Sequence, residues 1–370
     1  MPYQPPKSFF LPVIKSFDNP PLPEPLKVQI CGLFSMGRSA AVLNVMTWDH
    51  IKRKRHVQAV LKLYDRRFAD LRDVGFKYIT HTAAREAAFQ SFVRQGKMEP
   101  FLPELDEELN EDGKMFPWAG HAHLEDDTDG DAKYEAALWW KCNKDFDRET
   151  EAYKRLKDLQ GKSIQRVYAH VRFMPPNLPL DLLESPLARY FEIKGILLQF
   201  IPGYSLSDLG TSQLAPSEPE ICQEIVQTAV DAVHDINRRG VLIGDCGPSN
   251  VVVNSNSNTP FIRKFAQSRF KDKLIGLLKE LGNMGCPECT VECLDEDEGE
   301  DEQWDPEVEY WKYVRYWNPR EIGLVMEGEM QRRKGIELDI KYPDIRSIIK
   351  DIKRRKAAEG RTADALPRDT

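Results

Sequence analysis

Three runs of alternating apolar residues follow one another with short breaks between them. They are Leu26-Lys-Val-Gln-Ile-Cys-Gly-Leu-Phe, Ala40-Ala-Val-Leu-Asn-Val-Met and Val57-Gln-Ala-Val-Leu-Lys-Leu-Tyr. Alternation with period two puts the apolar side chains on one face of a strand. Three such strands in series predict an antiparallel meander. Any fold for this chain therefore has to place a β-rich layer near its N-terminus.

Composition narrows the class without naming it. The chain has 370 residues, 41% of them hydrophobic, enough for two or three packing units. A net charge of −7 argues against a dedicated nucleic-acid binder, which needs a basic surface. No apolar run reaches the roughly 18 residues that a membrane span needs. Met1-Pro-Tyr-Gln-Pro-Pro lacks a basic region followed by an apolar run, so a cleaved leader is not expected. The expectation is a soluble, intracellular, cytoplasmic protein. Lys353-Arg-Arg-Lys356 reads as a solvated helix face, with a nuclear address as the alternative.

Seven cysteines are too few for a disulfide scaffold in a chain of this length. Cys286-Pro-Glu-Cys289, with Cys293 nearby, has the spacing of half a zinc site but no second half, so ordinary loop thiols are expected. Cys31, Cys142, Cys222 and Cys246 read as buried small hydrophobes. His121-x-His123 lacks a third metal ligand, and Asp127-x-Asp129-x-Asp131 lacks the offsets of a calcium loop, so a solvated acidic loop is expected there.

Along the chain, residues 1–25 hold eight prolines and read as an extended N-terminal arm. Residues 66–140 break the strand pattern and read as an insertion, with a helix over Ala83 to Gln95 and acidic irregular stretches after it. A helix is predicted over Phe146 to Leu159, capped by Gly161. Strands are predicted from Arg166 and over Tyr190 to Phe200. Ile221, Ile225, Ala229, Ala232, Val233 and Ile236 share one helical face, and that helix ends at Arg238-Arg239-Gly240. Asp295 to Glu302 reads as a solvated loop, and Trp304, Trp311, Tyr313, Tyr316 and Trp317 as core aromatics.

Between two short apolar runs lies Val241-Leu-Ile-Gly-Asp245-Cys-Gly-Pro-Ser-Asn250-Val-Val-Val. An Asp followed by an Asn five residues on, after a helix ending in Gly, resembles the catalytic loop of the protein-kinase-like superfamily. Other positions follow in the order of that family. Ala59-Val-Leu-Lys62 resembles its strand lysine, and Glu149, with Glu151 as rival, falls where its helix glutamate does. Ser35-Met-Gly37-Arg-Ser-Ala40-Ala-Val42 keeps the spacing of its glycine-rich loop with one glycine of three. Ile196-Leu-Leu-Gln-Phe-Ile-Pro-Gly resembles its hinge, with Leu198 guarding the pocket and backbone groups of Gln199 to Ile201 meeting adenine.

The resemblance implies an α+β, bilobal, kinase-like fold similar to kinase-like proteins abundant in fungi. It implies a β-rich N-lobe over 26–198, an abbreviated, mainly helical C-lobe over 199–349 and a charged tail over 350–370. It also implies ATP as ligand, Lys62 and Glu149 as phosphate clamp and Asp245 as base. Asn250 would be a ligand for Mg²⁺, and the acceptor a protein or small-molecule hydroxyl. The sequence departs from the family at one decisive place. Fourteen residues past Asn250, where the metal-binding Asp is due, stands Lys264 in Lys264-Phe265-Ala266. A lysine can neutralise phosphate charge but cannot coordinate a metal. The loop also lacks the Arg before Asp245, and Pro319-Arg-Glu321 only echoes the family's Ala-Pro-Glu. Impaired transfer is one expectation, and a pseudokinase acting as scaffold is the other.

Overall fold

The computed structural model describes residues 7–17, 21–36, 40–48, 56–68, 73–74, 77–112, 129–266, 268–271, 305–316 and 319–364. Gly37, the His121-x-His123 pair, Asp127, the Cys286–Cys293 group, the 295–302 run, Trp304 and Trp317 lie outside the described residues. The chain is mixed α and β and divides into two compact units, Met1–Phe200 and Ile201–Thr370.

The first unit is built on an antiparallel sheet. Its strands are β1 (Ser8–Leu11), β2 (Val13–Ser16), β3 (Leu26–Met36), β4 (Ala41–Trp48) and β5 (His56–Leu63). After a two-residue pair, β6 (Asp73–Val74) and β7 (Lys77–Tyr78), come β8 (Val167–Phe173) and β9 (Ile193–Gln199). The seven-stranded order is β1-β3-β4-β5-β9-β8-β2. The expected meander is β3-β4-β5, paired residue against residue.

Residues 8–16 are not an arm: they are two strands, one on each edge of the sheet. Only Pro12 separates them, so the sheet curls until its two edges are joined by a single residue. Proline suits that corner, because it has no N–H to offer a ladder, while its carbonyl accepts from Arg172 N at 3.0 Å. Leu11, Val28, Leu43, Leu61, Leu63, Val171 and Leu197 fill one face as a buried core.

Helices α1 (Ala83–Arg94), α2 (Met98–Asp112), α3 (Gly130–Arg155) and the single turn α4 (Leu180–Leu183) complete the unit. The predicted helix over 146–159 is the C-terminal half of α3, continued by a 3-10 turn over Lys157–Leu159; Gly161 follows with φ +77°. Two stripes explain the added length. Ala132, Ala136 and Trp140 lie on one side of α3, and Tyr134, Leu138, Cys142, Asp145 and Glu149 on the other, all buried. The first stripe packs with Phe89, Phe92, Phe101 and Tyr190 into a second core. Among the described residues the insertion is thus largely a helical module. Asp129 and Asp131 stand at the start of α3, paired with Lys97 at 2.6 Å and Arg85 at 2.9 Å, not in a free acidic loop. The strand predicted over Tyr190 to Phe200 is β9, which begins at Ile193, because Tyr190 closes a 3-10 turn over Pro186–Tyr190.

The second unit holds β10 (Gly203–Ser205), α5 (Pro219–Arg238), β11 (Val241–Leu242), β12 (Val251–Asn254), β13 (Pro260–Ile262) and β14 (Arg269–Phe270). The helices α6 (Pro306–Tyr316), α7 (Pro319–Lys334) and α8 (Ile345–Asp364) come after them. The predicted apolar face of α5 is buried, and Gly240 ends it at φ +72°. Gly203 is the only residue type that fits β10, since a Cβ there would stand 1.8 Å from the Val253 carbonyl oxygen. Tyr310 and Trp311 are core, packed with Ile345 and Ile352. Of the expected charged tail, residues 350–364 belong to α8, whose Ile352 is buried. In the basic run, Arg355 pairs with Glu307 at 2.8 Å and Lys356 with Asp305 at 2.5 Å.

Replacing Phe89, fully buried in the second core of the first unit, by Ala should cost about 3–5 kcal/mol and lower the urea midpoint. Leu324→Ala, at a side chain 57% exposed, should stay within about 0.5 kcal/mol.

Candidate functional site

Lys62 sits near the end of β5, directly opposite Val42 on β4 and Ile196 on β9. Its neighbours Leu61 and Leu63 point into the apolar core, so alternation turns Lys62 and Tyr64 to the other face. There α3 presents Glu149. Lys62 Nζ and Glu149 Oε1 are 2.5 Å apart, with both side chains buried. The Tyr64 hydroxyl donates to the second oxygen, Glu149 Oε2. Both carboxylate oxygens are thus engaged, the condition under which a buried charge is tolerable. Burial, reinforced by the Glu149 charge, pushes the Tyr64 hydroxyl pKa well up, which keeps it a proton donor. The rival Glu151 points elsewhere and pairs with Arg155 at 2.8 Å and Lys154 at 3.4 Å. The hydrogen bond from Arg155 is the main cause that lowers its carboxyl pKa.

The other expected nucleotide residues of this unit are strand residues. Ser35 pairs with Val42 across the β3–β4 hairpin, and Ala40 is buried just before β4. Leu198 is fully buried, flanked by Val60 and Val167. Gln199 departs from the hinge expectation. Its N–H donates to Arg166 O at 2.8 Å, and its carbonyl accepts from Gln165 Nε2 at 2.6 Å. These main-chain groups are satisfied inside the unit, by Arg166 at the start of the predicted strand and by Gln165, which carried no signal in the sequence. Ile201 begins the second unit and is buried.

In the second unit, Asp245 follows β11, and a 3-10 turn over Pro248–Asn250 leads into β12. Asn250 Nδ2 donates to the Asp245 carbonyl at 2.9 Å and closes the loop on itself. Its own carbonyl accepts from Arg263 N at 3.1 Å, while Arg263 Nη2 donates to Ser249 O at 2.8 Å. Lys264, just past β13, places its Nζ 2.6 Å from Asp245 Oδ2, in a pair that is partly exposed. The Asp and the Lys that replaces the expected metal ligand are therefore partners. Phe265 is fully buried beside it.

The underside of the loop is tied to α7. Glu321 accepts from the Cys246 backbone N–H, and burial raises its carboxyl pKa. The weak echo at Pro319-Arg-Glu321 thus supplies a loop support, a role that spacing alone did not reveal. Burial also pushes the Cys246 thiol well up, which removes it as a nucleophile. Among the described residues no group of three or more His, Cys, Asp or Glu is placed to hold a metal ion, and no helix is long and apolar enough to cross a membrane.

No family model and no curated protein matches this chain. Among solved structures, the chain is similar to the autoinhibited serine kinase domain of the giant muscle protein titin, at a TM-score of 0.32 and 10% identity. That alignment covers 66% of this chain and 46% of the titin chain, so it spans less than half of the latter. A likeness at that level carries no weight for activity, which has to be read from the residues themselves.

Two outcomes are expected here. Glu149→Gln removes the carboxylate that pairs with the buried Lys62 ammonium and should cost about 3–5 kcal/mol in urea unfolding, whereas Lys62→Met with Glu149→Gln should cost clearly less. His170 on β8 stacks edge-on against Phe146 of α3 at 5.5 Å and Phe17 at 4.8 Å. Burial first, and then Lys15, depress its pKa to about 4. The folded state therefore binds this proton less readily than the unfolded chain, whose histidine titrates near 6.5. Its contribution is present above pH ~6.5 and is lost as pH falls toward about 4. NMR titration should show the low pKa, and His170→Gln should flatten the stability profile in that window.

Proposed function

We propose that this chain is a kinase-like nucleotide-binding protein whose phosphotransfer to a protein or small-molecule hydroxyl is impaired. The observation that carries this reading is the buried Lys62–Glu149 pair, formed between a strand and a helix 87 residues apart. In that family such a pair orients the lysine that grips the α- and β-phosphates of ATP. A structural role alone would not call for a lysine on the strand register opposite Val42, next to the loop that the resemblance assigns to the phosphates.

Asp245 would orient the acceptor hydroxyl and take its proton. Lys264 opposes that role, because its ammonium already occupies Asp245 Oδ2. The residues here do not fit a Mg²⁺ ion, which needs several oxygen ligands in octahedral order. Asn250 supplies one neutral amide oxygen, and the expected carboxylate is replaced by a cation that pairs with Asp245. Lys264 instead suits direct neutralisation of phosphate charge. The same Lys264–Asp245 pair favours the second reading, a pseudokinase that serves as a scaffold.

A thermal-shift titration separates the outcomes. ATP at tenfold over its Kd should raise the melting temperature by about 3–6 °C, with little change on adding Mg²⁺. Lys62→Met should abolish the shift, and Lys264→Asp should make it Mg²⁺-dependent and raise phosphotransfer. Strong Mg²⁺ dependence in the unaltered protein would overturn the metal-poor reading. The absence of any shift with ATP would leave the scaffold.

A further inference from the structure

Two residues past Tyr64, just beyond the end of β5, stands Arg66, and it is tied twice. Its Nη1 donates to Glu135, near the N-terminal end of α3 and fully buried, and its Nη2 to Glu86 of α1 at 2.6 Å. The guanidinium also lies 4.1 Å from the centroid of the Phe89 ring, in the second core. Burial works against its charge, yet the net effect of Glu135 and Glu86 is to raise its pKa, so it remains a cation. His81 stands near the same carboxylates, 3.4 Å from Glu86 and 3.5 Å from Glu135.

Glu135 and Glu149 are 14 residues apart on α3, about 21 Å along its axis. Lys62 lies on β5 and Arg66 in the turn just beyond its end, so the two ties grip α3 at separate points. A helix held at one point can pivot about it. Held at two points by charge-assisted bonds, it has one register and one rotation against the strand. A slip by one turn would separate a buried carboxylate from its cation at either tie.

We infer that Arg66 is a positioning residue: with Glu135 and Glu86 it braces α3 through the inserted helical module so that Glu149 stays on Lys62. The inserted module is then a built-in clamp on the Lys62–Glu149 pair. The consequence for nucleotide binding rests on the kinase-like reading, but the brace itself does not.

Arg66→Met alone removes the cation that the buried Glu135 and the partly exposed Glu86 share, and can unfold the unit. The test therefore uses Arg66→Met with Glu86→Gln and Glu135→Gln, which removes the brace and strands no charge. The readout is acylation of Lys62 by an N-hydroxysuccinimide acetate, followed by mass spectrometry without nucleotide. In the unaltered protein Lys62 should be protected, and Glu149→Gln should expose it. The neutral triple variant, folded by circular dichroism, should raise Lys62 acylation about tenfold. Arg94→Ala, which removes an exposed tie between α1 and α4, should leave it unchanged. Full protection of Lys62 in the folded triple variant would overturn the brace, as would failure of the triple variant to fold while Arg66→Met alone folds with Lys62 protected. If the protein binds no ATP while the triple variant exposes Lys62, the nucleotide reading fails and the brace stands.

Discussion

The first unit depends on one constraint, that charge cannot be buried alone. From Lys62 to Arg67 the chain carries four charged side chains and one tyrosine into the space between sheet and helices. Lys62 and Tyr64 find Glu149, Asp65 finds Arg67, and Arg66 finds Glu135 and Glu86. Lys141 and Asp145, four residues apart on α3, satisfy each other in the same layer. Each ion would cost several kcal/mol to desolvate without its partner. The end of β5, α3 and α1 are therefore specified together, and the apolar cores on either side fill in around that charged seam.

The second unit treats its charged pair differently. Lys264 and Asp245 are partly exposed, so water screens them and their attraction contributes little to stability. Their significance is chemical. The Asp245 oxygen that meets Lys264 is already engaged, and a lysine where a metal ligand is due changes which anions the loop can meet. The loop is otherwise held by its own backbone, through Asn250 and Arg263 above and Glu321 below.

Much of this was legible before any coordinates. Period-two alternation marked β3, β4 and β5, and period 3.6 marked α5 with its glycine stop. Motif order singled out Lys62 with Glu149, and Asp245 with Lys264. The misses share physical causes. β1 and β2 hid in a proline-rich stretch because edge strands need few ladder donors, and composition alone reads as an extended arm. The first half of α3 hid because the helix is buried on two opposite faces, so no single apolar stripe stands out. Its buried glutamate, lysine and aspartate also imitate a solvated surface. Gln165 left no trace, since capping another residue's main chain demands no pattern.

What could be read locally was whatever depends on spacing along one element: strand period, helix face, glycine stops and the order of charged residues. Those features come from backbone geometry, which every residue feels from its immediate neighbours. Which charges meet was settled at long range. Glu149 rather than Glu151 reaches Lys62 because α3 is rolled by its two cores and by Arg66. Lys264 reaches Asp245 because β13 returns beside β12. A partner 19 or 87 residues away is chosen by packing, and packing is a property of the folded chain as a whole.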